Sequence, residues 1–200
     1  MAGSSPVRVG VLALQGDVRE HLAVLRGLGA DAVPVKRERE LDDVAGLVIP
    51  GGESTVMDKL SRSFGLADPV KARITSGMPV YGTCAGLIML ADRVLDAADG
   101  QRSFGGLDVA VRRNAFGTQR DSFETDLSIP ELGEPPVHAV FIRAPIVEEV
   151  GTDARALATV ADGRVVAVEQ ENLLGTSFHP ELTGETRFHE YFLAKVRAAA

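Results

Sequence analysis

The first ninety residues alternate short, continuously apolar runs with segments of helical periodicity, and this alternation restricts the fold more than any other feature. Val7 to Leu14 is a continuous apolar run broken only by Arg8 and Gly10. Such a run suits a strand buried on both faces, as in a parallel sheet. Gln15-Gly16-Asp17 reads as a turn. Val18, His21, Leu22, Leu25 and Leu28 then recur at helical spacing until Gly29. Asp31 to Val35 and Gly46 to Ile49 read as second and third strands. Helical stretches follow from Ser54 and over Leu66 to Ser76. Pro79 to Gly82 reads as a fourth strand, and Ala85 to Leu95 as a strongly apolar helix. A βαβαβα order of this kind demands right-handed crossovers and helices on both sheet faces. Sites in such sheets form at the carboxyl ends of the strands. The loops after strands 1, 3 and 4 are therefore the places to search.

Beyond Gly100 the pattern changes. Segments near 107–113, 118–127, 137–142, 156–160, 164–169 and 173–177 read as short strands between Gly, Pro, Asn and Asp turns. Phe188, Tyr191, Phe192 and Val196 mark a last amphipathic helix, with Thr183 as its expected N-cap. The expected architecture is α/β: a three-layer sandwich with a mixed, mainly parallel central sheet and added antiparallel strands. With 200 residues and no linker-like stretch, residues 1–200 read as a single domain, of which 1–6 are expected to be flexible. A net charge of −7 argues against nonspecific nucleic-acid binding. No run approaches the roughly 18 apolar residues of a membrane helix. The N-terminus has no apolar signal region, so a cytoplasmic location and no membrane partner are expected.

The chain has one cysteine. That excludes an intramolecular disulfide or a multi-cysteine zinc site. Cys84 sits in Gly82-Thr83-Cys84-Ala85-Gly86, between an expected strand and an expected helix. A buried cysteine is usually a small hydrophobe. The G-x-C-x-G pattern in a strand–turn–helix setting is instead a thiol version of the nucleophile elbow. The turn would lift the sulfur to the sheet edge, aim the helix N-terminus at it and make the Ala85 N–H an oxyanion donor.

A thiol that attacks an amide needs a proton carrier. There are four histidines. His21, on the first helix, reads as packed or half-exposed, and His138 and His189 as structural or solvated. His179 ends an apolar segment and precedes Pro180-Glu181. Proline favours an extended residue before it, and alternation would then put His179 and Glu181 on one side. Glu181 could orient the ring. Alone, His-Pro-Glu also fits a strand-end histidine beside a solvated glutamate. Pro50-Gly51-Gly52-Glu53-Ser54-Thr55 follows strand 3. It could cradle an anion, but the G-x-x-x-x-G-K-[ST] spacing is absent, and an oxyanion loop facing Cys84, with Gly52 as donor, fits better. Asp58 and Lys59 read as solvated helix charges.

Together, Gly82-Thr83-Cys84-Ala85-Gly86, Pro50-Gly51-Gly52-Glu53-Ser54-Thr55 and Ser177-Phe178-His179-Pro180-Glu181 resemble the class I glutamine amidotransferases. Five further segments narrow the resemblance. They are Val11 to Asp17 with Arg19-Glu20-His21, Arg113-Asn114-Ala115-Phe116-Gly117, Ser122-Phe123-Glu124, Phe141-Ile142-Arg143-Ala144-Pro145 and His179 to Thr183. This set, over about residues 7–197, is similar to the glutaminase subunits of pyridoxal 5′-phosphate synthase. The resemblance implies hydrolysis of L-glutamine, with ammonia passed to a synthase partner in a hetero-oligomer. It implies Cys84 as nucleophile, completed by His179 and Glu181. It places Gly52, Glu53, Ser54, Arg113 and the Ile142-Arg143 backbone at the glutamine site. An arginine fork suits the substrate carboxylate, whereas Arg113 and Arg143 read alone are surface charges. No metal and no cofactor is implied. Thr118 stands where the family more often carries arginine, which puts that side chain's contact in doubt.

Overall fold

The computed structural model describes residues 6–113 and 122–200. Expectations for residues 1–5, for the 114–117 motif and for Thr118 therefore fall outside the described residues. The first half runs β1 (Arg8–Leu12), α1 (Val18–Gly27), β2 (Asp31–Val35), α2 (Glu38–Asp42), β3 (Gly46–Ile49), α3 (Ser54–Ser63), α4 (Ala67–Thr75), β4 (Val80–Thr83) and α5 (Ala85–Leu90). Four of these strands lie in the order β2, β1, β3, β4, all parallel. Each is apolar on both faces because each is covered twice. Val9, Val11, Val48 and Tyr81 point to one core, with Leu22 and Leu25 of α1. Leu12, Leu47, Ile49 and Val80 point to the other, with Met57, Val70 and Leu87 from α3, α4 and α5. The two-residue period of a strand splits one apolar run between two cores.

The second half completes the sheet with β5 (Ala91–Leu95), β6 (Leu107–Arg112), β9 (Ile146–Val150), β10 (Arg155–Thr159), β11 (Val165–Gln170) and β12 (Leu173–Thr176). The path is β2-β1-β3-β4-β12-β11-β9-β6-β5, with β10 beside β11. The pairs β4–β12 and β5–β6 are parallel; those of β11 with β9, β10 and β12, and of β6 with β9, are antiparallel. A separate hairpin, β7 (Ser122–Leu127) and β8 (Val137–Ile142), lies over the first core. There Phe141 stacks on Phe123 at 4.4 Å and meets Phe178 edge-on at 5.5 Å. The last helix, α6 (Arg187–Ala199), buries Phe188, Phe192, Leu193 and Val196 in the same core.

Several sequence expectations need correction. The apolar stretch Ala85 to Leu95 is not one helix. Ala91 turns to extended backbone (φ −64°, ψ 137°) and starts β5. All six residues of α5 are buried, so polar Asp92 and Arg93 could not continue it without entering the core. Instead Asp92 accepts from Gly106 N–H, and Arg93 pairs with Asp108. Thr183 does not cap α6. It ends a 3-10 turn, Pro180–Leu182, and Thr186 stands at the helix start. The short α2 and strand β9 escaped the sequence reading; α2 has a single buried residue, Leu41, and so no periodic signal. Asp58 is not solvated: it is buried, bonded twice to Arg62 and once by Arg102 N–H.

Candidate active site

Parallel pairing decides which loops meet. Val11 pairs with Val48, Ile49 with Gly82, and Thr83 with Thr176. The carboxyl ends of β1, β3, β4 and β12 therefore form one edge, from which Gln15 to Asp17, Pro50 to Glu53, Cys84 and Ser177 to Glu181 emerge side by side.

Cys84 occupies the turn from β4 to α5 at φ 49°, ψ −103°. A non-glycine residue in such a conformation carries strain of about 1–3 kcal/mol, and it persists only where the surroundings enforce it. Two features enforce it here. Its N–H donates to Thr176 O at 2.7 Å. Gly86 lies so close to β3 that a Cβ would overlap the Ile49 carbonyl oxygen, so α5 can begin only at this depth. The following N–H groups, Ala85 first, open α5 and lack intrahelical acceptors. Cys84 is buried but not sealed.

His179 reaches the same edge from β12. Its N–H donates to Val140 O of β8 at 3.0 Å. Its Nδ1 lies 2.8 Å from Glu181 Oε1 and 3.4 Å from Asp17 Oδ2. The contact with Glu181 does not come from strand alternation, as expected. Pro180 starts a 3-10 turn, and that turn folds Glu181 back under the ring. Burial by itself would lower the imidazole's pKa. Asp17, Cys84 and Glu181 around the ring outweigh it and raise the value to about 12. Burial also raises Glu181, against the pull of His179. A carboxylate on each side of Nδ1 explains why the ring's charge prevails.

The loop after β3 fits between these groups. Gly52 adopts φ 149°, and a Cβ there would fall 2.5 Å from the Gln15 Oε1. That oxygen accepts the Glu53 N–H at 2.8 Å. Gly51 packs on the His179 ring, and its carbonyl accepts the Asp17 N–H at 3.1 Å. Glu53 is the N-cap of α3, its Oε1 accepting from Thr55 N–H and Oγ1. Arg113 Nη2 stands 3.4 Å from the same oxygen. Ser54 is buried and accepts from Gln101 Nε2, while Gln101 Oε1 accepts from Arg113. Gln101 thus joins two residues expected at the substrate site. Asp58, by holding Arg102 N–H, anchors that segment to α3. Arg143 follows β8 at φ 43° and is exposed beside Ile142, close enough to help lower the pKa of Glu53.

The structure so gathers Cys84, His179 and Glu181 with Gly52 and Ala85. Glu53 and Ser54 follow Gly52 in the same loop, Arg113 reaches Glu53, and Arg143, next to Ile142 at the end of the hairpin, acts on the same carboxylate. His138 is exposed between Glu124 and Asp126, away from this edge. Sequence reading missed Gln15, Asp17 and Gln101 as contributors. The first two were within reach, because the loop after β1 must adjoin the loop after β3. Gln101 had no signal, lying in a turn region far from every motif. His21 and His189 are wholly buried rather than half-exposed or solvated. Among the described residues, Asp17, His179 and Glu181 offer ligand atoms within 4.8 Å of one another and could hold a cation, but a ring proton on Nδ1 fills the same space.

Comparison with known proteins agrees with this geometry. The chain is 74% identical over 196 residues to "Pyridoxal 5'-phosphate synthase subunit PdxT" of Leifsonia xyli subsp. xyli (strain CTCB07), covering 98% of each. It is 64% identical over 205 residues to the protein of the same name from Clavibacter sepedonicus, covering 100% of this chain and 98% of that one. A solved structure described as a glutamine amidotransferase superposes with a TM-score of 0.88 at 45% identity, over 94% of this chain and 98% of the other. The profile of the SNO glutamine amidotransferase family matches residues 11–198, motifs and scaffold alike, and the chain belongs to that family.

Proposed function

We propose that the chain is the glutaminase subunit of a pyridoxal 5′-phosphate synthase. It hydrolyses L-glutamine to L-glutamate and ammonia and supplies the ammonia to a synthase partner. The observation that carries the reading is Cys84 held at positive φ on the sheet edge, beside an imidazole backed by Glu181 at 2.8 Å. Support also comes from relatives named as subunits of that synthase.

His179 takes the thiol proton of Cys84, and Sγ attacks the side-chain amide carbon of glutamine to give a tetrahedral intermediate whose C–N bond then breaks. The N–H groups of Gly52 and Ala85 receive the developing oxyanion. His179, charged while Glu181 and Asp17 face its Nδ1, gives a proton to the departing ammonia. Water, deprotonated by the now neutral ring, then hydrolyses the γ-glutamyl thioester and frees Cys84. Glu53, Ser54 and Arg113 line the glutamine site, with Ile142 and Arg143 closing it from the hairpin. Arg113 suits the α-carboxylate and Glu53 the α-ammonium. Thr118 would lie beyond Arg113 in the segment outside the described residues.

Ammonia released into neutral water becomes ammonium and loses its nucleophilicity, so the reaction gains from transfer within a complex. Gating follows the same logic. The Gly51 carbonyl is tied to Asp17 N–H, and rotation of the Gly51–Gly52 peptide must break that bond. Docking of the synthase supplies the free energy and sets the Gly52 N–H. Among the described residues no helix is long and apolar enough to cross a membrane. The reading includes a cytoplasmic location, where a single thiol stays reduced.

The test is glutamate release by the chain alone, by its complex with the synthase, and by the complex carrying Cys84→Ala. Release that rises on complex formation and vanishes in Cys84→Ala is expected. No release from the wild-type complex would overturn the glutaminase reading, and equal release with and without the synthase would overturn the gating.

A further inference from the structure

Beside Glu181, sharing its Oε1 with His179, lies a pair of histidines with no part in the mechanism above. His21, on α1, is fully buried. Its Nδ1 is 2.8 Å from His189 Nε2 of α6. Its Nε2 is 3.1 Å from Thr83 Oγ1 and 3.5 Å from Glu181 Oε1. His189 is also fully buried, edge-on to Tyr81 at 5.6 Å, and its Nδ1 has no hydrogen-bond partner among the described residues. Burial holds His21 well below the ordinary histidine range and lowers His189 to about 4. Each ring therefore carries one proton, and the short nitrogen–nitrogen contact admits only two arrangements.

In one, His21 donates from Nδ1. His189 must then carry its proton on the partnerless Nδ1, and His21 turns a lone pair toward the Glu181 carboxylate. A buried N–H is left without an acceptor, and the electron-rich face of a neutral ring nitrogen meets a carboxylate. In the other, His189 donates from Nε2 to His21 Nδ1. His21 then donates Nε2–H to Thr83 Oγ1 at 3.1 Å, and the positive end of that N–H faces Glu181 Oε1 at 3.5 Å. Of the two rings, only a lone pair on His189 is left unpaired, which costs less than an unmade donor. The second arrangement is preferred.

We infer that His21 is a positioning residue of the thiol site, held by His189, bonded to Thr83 through its Nε2–H and turning the positive end of that N–H toward Glu181 Oε1. Glu181 Oε1 is the atom that meets His179 Nδ1, and Thr83 is the residue before the nucleophile. One imidazole thereby sets the direction of the carboxylate and the end of the strand that carries the sulfur. The kinetic consequence rests on the glutaminase reading; the ring arrangement and the reactivity of the thiol do not.

Three measurements test this. Ring ¹⁵N magnetic resonance of the folded chain reads the tautomer. Alkylation of Cys84, the single thiol, by iodoacetamide reads the triad whatever its substrate. Steady-state glutaminase kinetics of the complex read kcat and KM. His21 protonated at Nε2 and bare at Nδ1 is expected. In His21→Leu, kcat and the alkylation rate fall about 10- to 100-fold, the scale of a displaced catalytic group, with KM nearly unchanged. His21→Gln places an amide N–H near the Nε2 position and recovers most of both rates. His21→Asn places it near Nδ1 and does not. If the leucine variant fails to fold, the glutamine and asparagine variants decide the matter. A His21 protonated at Nδ1, wild-type rates in all variants, or no advantage of Gln over Asn would overturn the inference. A wild-type complex that releases no glutamate would overturn only the glutaminase reading, since the tautomer and the alkylation rates are read independently of it.

Discussion

Glu181 Oε1 lies 2.8 Å from His179 Nδ1, across a single 3-10 turn that begins at Pro180. The contact selects the ring orientation in which Nε2 is left for Cys84, and it stabilises the charge that forms there. Glu181→Gln keeps the shape and removes the charge. In the complex it is expected to lower kcat by about 100-fold or more, with little change in KM. Steady-state glutamate release checks it. Asp17, at 3.4 Å from the same nitrogen, limits the loss by leaving one carboxylate in place.

Cys84 stores strain that a stability measurement can read. Replacing it with glycine removes the Cβ penalty at φ 49°, but adds backbone freedom to the unfolded chain. Cys84→Gly is expected to be more stable than wild type by about 1 kcal/mol, the difference between the released strain and roughly 0.5–1 kcal/mol of entropy. It has no glutaminase activity. Chemical denaturation measures the gain, and a stability equal to that of Cys84→Ala would contradict the enforced turn.

Gly16 packs against the Gly51–Gly52 loop, whose Gly52 N–H is the proposed oxyanion donor. At φ 96° it lies where any Cβ would overlap the Gly51 carbonyl oxygen. Gly16→Ala is expected to push Gly51 and Gly52 out of place, cutting kcat at least about tenfold in the complex. Alkylation of Cys84 continues, because iodoacetamide needs no oxyanion donor. Kinetics and labelling on one preparation separate the two effects.

The buried histidines predict acid sensitivity. His21 and His189 have folded pKa values below the unfolded value near 6.5. The unfolded chain binds protons below pH 6.5 that the folded chain refuses. Their contribution to stability is therefore complete above pH 6.5 and is lost as pH falls, for His189 down to about 4. His179, raised to about 12, works the other way: its contribution is complete once pH is well below the unfolded value near 6.5 and is lost only as pH rises. Each buried ring contributes up to about 1.4 kcal/mol per pH unit. His189→Gln keeps a donor near Nε2 without titrating. Its urea unfolding free energy is expected to fall less steeply between pH 6.5 and 4.5 than that of wild type.

The sequence by itself determined the parallel half-sheet and the three motifs on its edge. Val9 to Leu12 and Gly46 to Ile49 are apolar at every position that faces either core, and only a doubly covered strand accommodates that pattern. The glycines around Cys84 and the proline after His179 are local signals, set by sterics within a few residues. The tertiary structure alone decided what lies between those motifs. The end of α5 at Leu90, the 3-10 turn that places Glu181 and the buried setting of Asp58 depend on what the space around each segment holds. The same is true of His21, whose partners Thr83, Glu181 and His189 are 62, 160 and 168 residues away in the chain. No periodicity encodes such a meeting. It arises when α1 and α6 pack on the same face of the sheet, and burial then removes the water that would otherwise satisfy and charge the rings.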